Sequence, residues 1–198
     1  MITSVQLAII KYNAGNIQSV SFALERLSVN FRITDDPEEI STSDKVIFPG
    51  VGEASTTMNY LRERKLDQLI RNLKQPLLGV CLGMQLMCKH SEENNTDCLG
   101  IFDETVRAFA PNKDMKVPHM GWNDLSLRNS WLDRQLENKF AYFVHTYYVP
   151  VNAFTSSTTE YIDVFSSAMH KDNFYAVQFH PEKSAETGEL VLKSFLKL

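Results

Sequence analysis

The first half of the chain alternates short apolar runs with segments of helical periodicity, and that rhythm restricts the fold more than any other feature. Val5 to Ile10 reads as an apolar strand, followed by a turn at Tyr12-Asn13-Ala14-Gly15-Asn16. Ile17, Val20, Leu24 and Leu27 then recur at helical spacing. Asn30 to Thr34 is a second strand, and Asp35-Asp36-Pro37 opens a short helix. Val46 to Phe48 is a third strand, ending at Pro49-Gly50-Val51-Gly52. A helix carrying Met58 and Leu61, then Leu66, Leu69, Ile70 and Leu73, comes next. Leu77 to Val80 is a fourth strand, and a helix from Leu82 to Lys89 starts at once. Such β-α-β-α order predicts an α/β fold with parallel strands and helices on both faces. Ligands in such sheets bind at the carboxyl ends of strands, where the turns after strands one, three and four lie. The second half differs. Thr105 to Phe109, Asp124 to Leu127, Phe140 to Val149, Tyr161 to Ser166 and Phe174 to Phe179 look strand-like, several of them antiparallel. A last helix carries Leu190, Val191, Phe195 and Leu196. With no repeat and no linker, residues 1–198 are expected to form one domain.

Composition removes several classes of function. Apolar residues at 43% and charged residues at 22% are those of a globular chain. A net charge of −4 leaves no basic stripe for a phosphate backbone, so no nucleic acid partner is expected. The longest nearly apolar run, Pro76 to Met84, is too short to span a membrane, and MITSVQLAII lacks the basic start and cleavage site of a signal peptide. Three cysteines, Cys81, Cys88 and Cys98, form no disulfide framework and suit a reducing, cytoplasmic setting. Without CxxC or HExxH, no metal site and no cofactor are expected.

Cys81 lies in Gly79-Val80-Cys81-Leu82-Gly83, straight after an apolar strand and straight before a helix. That is a nucleophile elbow with cysteine in place of serine. A helix N-terminus favours an anion there, and the Leu82 N–H points where an oxyanion would form. A buried structural cysteine is the competing reading, and Cys88 and Cys98 fit it well. Among five histidines, His180 ends a strand and is followed by Pro181 and Glu182. The proline stops the strand, and the Glu182 carboxylate can fold back to orient the imidazole, as the acid of a triad does. His90 and His170 lie in polar surroundings and are expected to be solvated; His119 and His145 sit in aromatic-rich strand contexts. Gly50, Val51 and Gly52 can bring backbone N–H groups to complete an oxyanion hole, or simply form a strand-to-helix turn.

The PGVG segment, the elbow GVCLGMQ at Gly79 to Gln85, and QFHPEKS at Gln178 to Ser184 occur in one order along the whole chain. Together they resemble the class I, triad-type glutamine amidotransferases. Within the class, the stretch from Tyr12 to Val20, the PHMGWN at Pro118 to Asn123 and the YFVHTYY at Tyr142 to Tyr148 are similar to glutaminase subunits of imidazole glycerol phosphate synthase. The resemblance implies a three-layer αβα, flavodoxin-like fold with a mostly parallel central sheet and an added antiparallel portion. It implies that Cys81 attacks the side-chain amide of L-glutamine, that His180 moves the protons and that Glu182 orients His180. It places Gln85, Glu93, Thr146 and Tyr147 against the substrate. It implies a HisF-type (β/α)8 cyclase as partner in a heterodimer, receiving ammonia and making imidazole glycerol phosphate and AICAR, with Asn13, Trp122, Tyr142 and Lys183 on the docking face. Lys11-Tyr12-Asn13 departs from the Asp-Tyr-Gly frequent in the family, changing a charge near that face. The same motifs also suit a paralogue feeding ammonia to another synthetase, such as one of amidino-sugar synthesis, or a non-catalytic regulatory subunit, although the complete triad argues against the latter.

Overall fold

A computed structural model describes residues 5–12, 17–111, 113 and 115–198. An eight-stranded mixed sheet forms the frame. Its parallel part runs β2 (Asn30–Thr34), β1 (Gln6–Ile10), β3 (Lys45–Phe48), β4 (Leu77–Val80) and β14 (Phe174–Val177). Three antiparallel strands extend it: β13 (Val164–Lys171), β12 (Thr155–Glu160) and β9 (Ser126–Leu127). The order β2-β1-β3-β4 is that of a doubly wound sheet, and its strand alternation decides the layers. Leu7, Ile9, Ile47 and Val177 pack on one face with α1 (Ile17–Arg26) and α6 (Ala185–Leu196). Ile10, Val46, Phe48 and Ala176 pack on the other with α2 (Pro37–Ser41), α3 (Ala54–Glu63), α4 (Leu66–Asn72) and α5 (Leu82–Leu86).

Two smaller sheets complete the fold. β5 (Cys88–Ser91), β6 (Thr96–Asp97), β7 (Phe102–Ala108) and β11 (Tyr147–Tyr148) make a four-stranded sheet in the order β11-β7-β5-β6. β8 (His119–Asp124) and β10 (Phe140–His145) form an antiparallel pair, His145 facing His119 and Tyr142 facing Trp122.

Several elements differ from the sequence reading. The helix expected from Leu82 to Lys89 stops at Leu86, because Cys88 to Ser91 is taken up by β6 and β7. The apolar stretch from Met58 to Leu73 is two helices, broken where Lys65 turns left-handed at φ 57°. β12, TSSTTE, carries no apolar periodicity, yet Ser156 to Thr159 are all buried. Two of its buried hydroxyls find protein partners: Ser167 Oγ on β13 donates to Ser157 Oγ at 2.9 Å, and Thr159 Oγ1 donates to the Asp124 carbonyl of β8 at 2.8 Å. A strand that pairs its polar groups internally has no reason to alternate. The strand expected over Tyr161 to Ser166 begins only at Val164 as the start of β13, Tyr161 to Asp163 forming the turn before it. The turn expected after β1 lies at residues 13–16, outside the described residues, and Asn13 with it.

Candidate active site

Cys81 sits between β4 and α5 with φ 52° and ψ −108°, a conformation that costs a non-glycine residue about 1–3 kcal/mol and is held only by its surroundings. The Cys81 N–H donates to the Val177 carbonyl at 2.8 Å, tying the elbow to β14. The loop after β3 presses against it. A Cβ on Gly83 would lie 2.1 Å from the Phe48 carbonyl oxygen, and one on Gly50 would lie 2.3 Å from the Gly83 nitrogen. The two backbones therefore meet only because both residues are glycine. The buried Tyr12 hydroxyl donates to the Pro49 carbonyl and pins the same loop; burial, then the charge of Cys81, pushes the phenol upward. We expect Gly83→Ala to lower the unfolding free energy by about 3 kcal/mol, since backbone and not a flexible side chain must give way. Urea midpoints would measure this; a change under about 0.5 kcal/mol would mean that the loop yields freely.

His180 reaches the same pocket from the end of β14. It is 1% exposed, and its Nδ1 lies 2.8 Å from Glu182 Oε1. The Glu182 side chain is 4% exposed. Pro181 starts a short 3-10 turn that folds the carboxylate back over two residues. The His180 N–H donates to the Tyr142 carbonyl at 2.9 Å, and Ser184 Oγ donates to the His180 carbonyl at 2.7 Å. His180 Nε2 is buried and has no hydrogen-bond partner among the described residues. Burial would strip the proton from this ring, but negative charge on Cys81, the contact with its sulfur and the Glu182 carboxylate outweigh it, and the pKa is pushed up to about 10. A protonated imidazole beside a cysteine sulfur is the arrangement that activates a thiol and later protonates a leaving amine.

These groups line one cavity of about 300 Å³ with Gly50, Val51, Gly52, Leu82, Gln85, Glu93, Thr146 and Tyr147. A roomier hollow of about 700 Å³ lies between Leu127 and Glu137, but no cysteine or histidine lines it. Gln85, one turn along α5, is buried and donates Nε2 to the Tyr147 carbonyl at 2.9 Å and to Gln178 Oε1 at 3.0 Å. Glu93 accepts from the Ala54 N–H at 2.8 Å. Burial and the nearby Glu53 charge raise its pKa, partly offset by that hydrogen bond. A carboxylate with too much negative charge around it favours a cationic ligand. Among the described residues no group of three or more His, Cys, Asp or Glu is placed to hold a metal ion, and no helix is long and apolar enough to cross a membrane.

Trp122, Tyr142 and Lys183 come together on one surface. Trp122 is 53% exposed, its ring stands edge-on to Tyr142 at 5.9 Å, and Lys183 Nζ lies 5.9 Å from the same Tyr142 ring. Met120 and Phe140, unmarked in the sequence reading, are exposed on the same strand faces. Strand alternation would have found them once β8 was recognised. The sequence motif assigns Gln178 no role; in the fold it is fully buried, and its Nε2 donates to Cys81 Sγ at 3.5 Å. His90 and His170 stay at the surface, partly exposed, and each also has a neighbour there: His90 Nδ1 lies 3.0 Å from Asp97 Oδ1, and His170 stacks on Tyr175 at 4.4 Å.

Comparison with known proteins places this geometry in context. The family described as glutamine amidotransferase class-I matches residues 8–198. The imidazole glycerol phosphate synthase subunit HisH of Bacteroides fragilis is 60% identical over 195 residues, which are 98% of this chain and 100% of that protein. The protein of the same name from Idiomarina loihiensis is 41% identical over 97% of each chain. The crystal structure of a glutamine amidotransferase superposes with a TM-score of 0.74 at 18% identity, covering 96% of this chain and 97% of that one, which speaks for the fold alone. The match along nearly the whole length, with a cysteine elbow and a histidine–carboxylate pair opening on one pocket, means that this chain belongs to the class I glutamine amidotransferases.

Proposed function

We propose that this chain is the glutaminase subunit of an imidazole glycerol phosphate synthase, hydrolysing L-glutamine and passing the ammonia to a HisF-type (β/α)8 cyclase for histidine biosynthesis. The observation that carries the reading is Cys81 strained at its elbow, facing a pocket that His180 also lines. The relatives named above, alike over their whole length, support the pathway.

In this reading the Cys81 sulfur attacks the amide carbon of glutamine. The developing oxyanion is met by the Leu82 N–H and by an N–H of the Gly50-Val51-Gly52 segment, which the close approach of Gly50 and Gly83 brings to the elbow. His180 gives its proton to the departing ammonia, leaving a glutamyl thioester. Water then attacks that thioester, His180 taking its proton, and glutamate leaves as the thiol is restored. Glu182 holds the Nδ1 proton of His180 throughout. Glu93 offers charge to the α-ammonium, and the Thr146–Tyr147 segment borders the α-carboxylate. The exposed cluster of Trp122, Tyr142 and Lys183 has the aromatic and basic make-up of an interface anchor, and it serves here as the cyclase docking face.

Reconstitution tests this. The chain is mixed with the barrel cyclase of the same organism, glutamine and the phosphoribulosyl aminoimidazole carboxamide substrate. Glutamate and imidazole glycerol phosphate are expected in equal amounts. Glutamate alone would keep the glutaminase and point to another ammonia acceptor. Neither product, with the cyclase active on free ammonia, would overturn the reading.

A further inference from the structure

Two histidines outside the proposed triad are buried beside the pocket. His119 (3% exposed) and His145 (6% exposed) face each other across the β8–β10 pair, His119 Nδ1 lying 3.0 Å from His145 Nε2. His119 is sandwiched between Tyr161 at 4.0 Å and Phe143 at 4.9 Å.

The direction of every hydrogen bond in this group follows from one acceptor. The Tyr147 carbonyl can only accept, and it lies 2.8 Å from His145 Nδ1, so His145 carries its proton there. Burial pushes the His145 pKa down to about 3 and that of His119 down to about 4, so both rings are neutral. His145 Nε2 is then a bare acceptor, and His119 must donate to it from Nδ1. His119 Nε2 is left to accept from Asn123 Nδ2 at 3.4 Å. That amide is oriented by its donation to the Glu160 carbonyl at 2.8 Å. From the other side, Gln85 donates to the same Tyr147 carbonyl and to Gln178, whose Nε2 faces the Cys81 sulfur. One continuous chain thus joins β8 to the nucleophile. β8 is also the strand that turns Met120 and Trp122 outward, 63% and 53% exposed.

We propose that His119 and His145 are positioning residues, a neutral relay that holds the Tyr147 wall of the pocket and Gln85 in register with the exposed face of the β8–β10 pair. The proposal rests on the glutaminase reading above. A partner seated on Met120 and Trp122 shifts His119 with its strand, and the shift arrives at the Tyr147 carbonyl through two hydrogen bonds. Gln85 feels it next, because its two amide hydrogens are both committed to this network. Simple core packing would need rings here, but it would not need the proton on a particular nitrogen.

Two measurements separate those cases. In the full-length chain with ¹⁵N-labelled histidine, long-range correlations at pH 7 are expected to show both His119 and His145 neutral and protonated at Nδ1. An Nε2–H tautomer or an imidazolium at either residue would overturn the relay. Glutamine binding is then read by calorimetry in a Cys81→Ala background, without turnover. His119→Phe keeps the stacked ring and loses the donor, and binding is expected to weaken about fivefold, the loss of one buried hydrogen bond. His119→Asn restores a donor and is expected to bind within about twofold of the Cys81→Ala parent. Equal binding with Phe and Asn at position 119 would reduce the pair to packing and overturn the proposal. A Cys81→Ala parent that binds no glutamine would count against the glutaminase reading instead, while the tautomers still decide the relay.

Discussion

Cys81→Ala removes glutamine hydrolysis, with a turnover loss of about ten-thousand-fold or more, and leaves affinity for the barrel cyclase within about twofold. The first half of that expectation follows from covalent chemistry. In the proposed mechanism Cys81 forms the thioester, and no second thiol lines the pocket, whose other polar side chains are Gln85, Glu93, His145, Thr146, Tyr147 and His180. The second half follows from the placement of the sulfur. Cys81 is 7% exposed, and its Sγ touches the Val144 carbonyl and Gln178 Nε2, not Trp122, Tyr142 or Lys183. Alanine keeps the Cβ and tolerates the strained φ about as well as cysteine does, so the elbow survives. Glutamate release and partner affinity, measured on the same preparation, check both halves. Loss of binding would mean that the elbow and the docking face are one mechanical unit.

His180→Ala lowers turnover by about a thousandfold or more, and Glu182→Gln by about ten- to a hundredfold. His180 lines the same pocket as Cys81 and contacts its sulfur, and in the proposed mechanism neither the thiol proton nor the ammonia proton has a carrier without it. Glu182 acts one bond further away. Its Oε1 lies 2.8 Å from Nδ1, and glutamine can still accept that hydrogen bond through its amide oxygen. What Glu182→Gln loses is the negative charge that helps hold the imidazole protonated against burial. The variant ring therefore gives up its proton at lower pH, and its glutaminase activity declines earlier than the wild type as pH rises. Steady-state rates for both variants across pH decide the order. Equal losses would give Glu182 a larger part than orientation and charge.

How much of this was legible in the chain depends on how local the constraint is. Cys81 between glycines, and His180 before Pro181 and Glu182, are short-range statements: an elbow needs small neighbours, and a proline turn returns a carboxylate two residues on. The parallel half of the sheet was likewise legible, because strands buried on both faces read as continuous apolar runs. The polar strand β12 was not, since its buried hydroxyls, two of them partnered on β13 and β8, leave no period in the sequence. The helix expected through Lys89 ended early for a related reason: pairing with β6 and β7 outweighed the local tendency of Cys88 to Ser91.

The amino-acid sequence by itself determined the doubly wound core, the elbow, the histidine–carboxylate pair and membership of the amidotransferase family, because each rests on residues close in the chain or on an ordered set of motifs. Tertiary structure alone decided the meeting of the Gly50 loop with Gly83, the surface shared by Trp122, Tyr142 and Lys183, and the hydrogen bond from His119 to His145 across 26 residues. Those contacts depend on strand register and on close backbone approach, and both are set only when distant segments pack against one another.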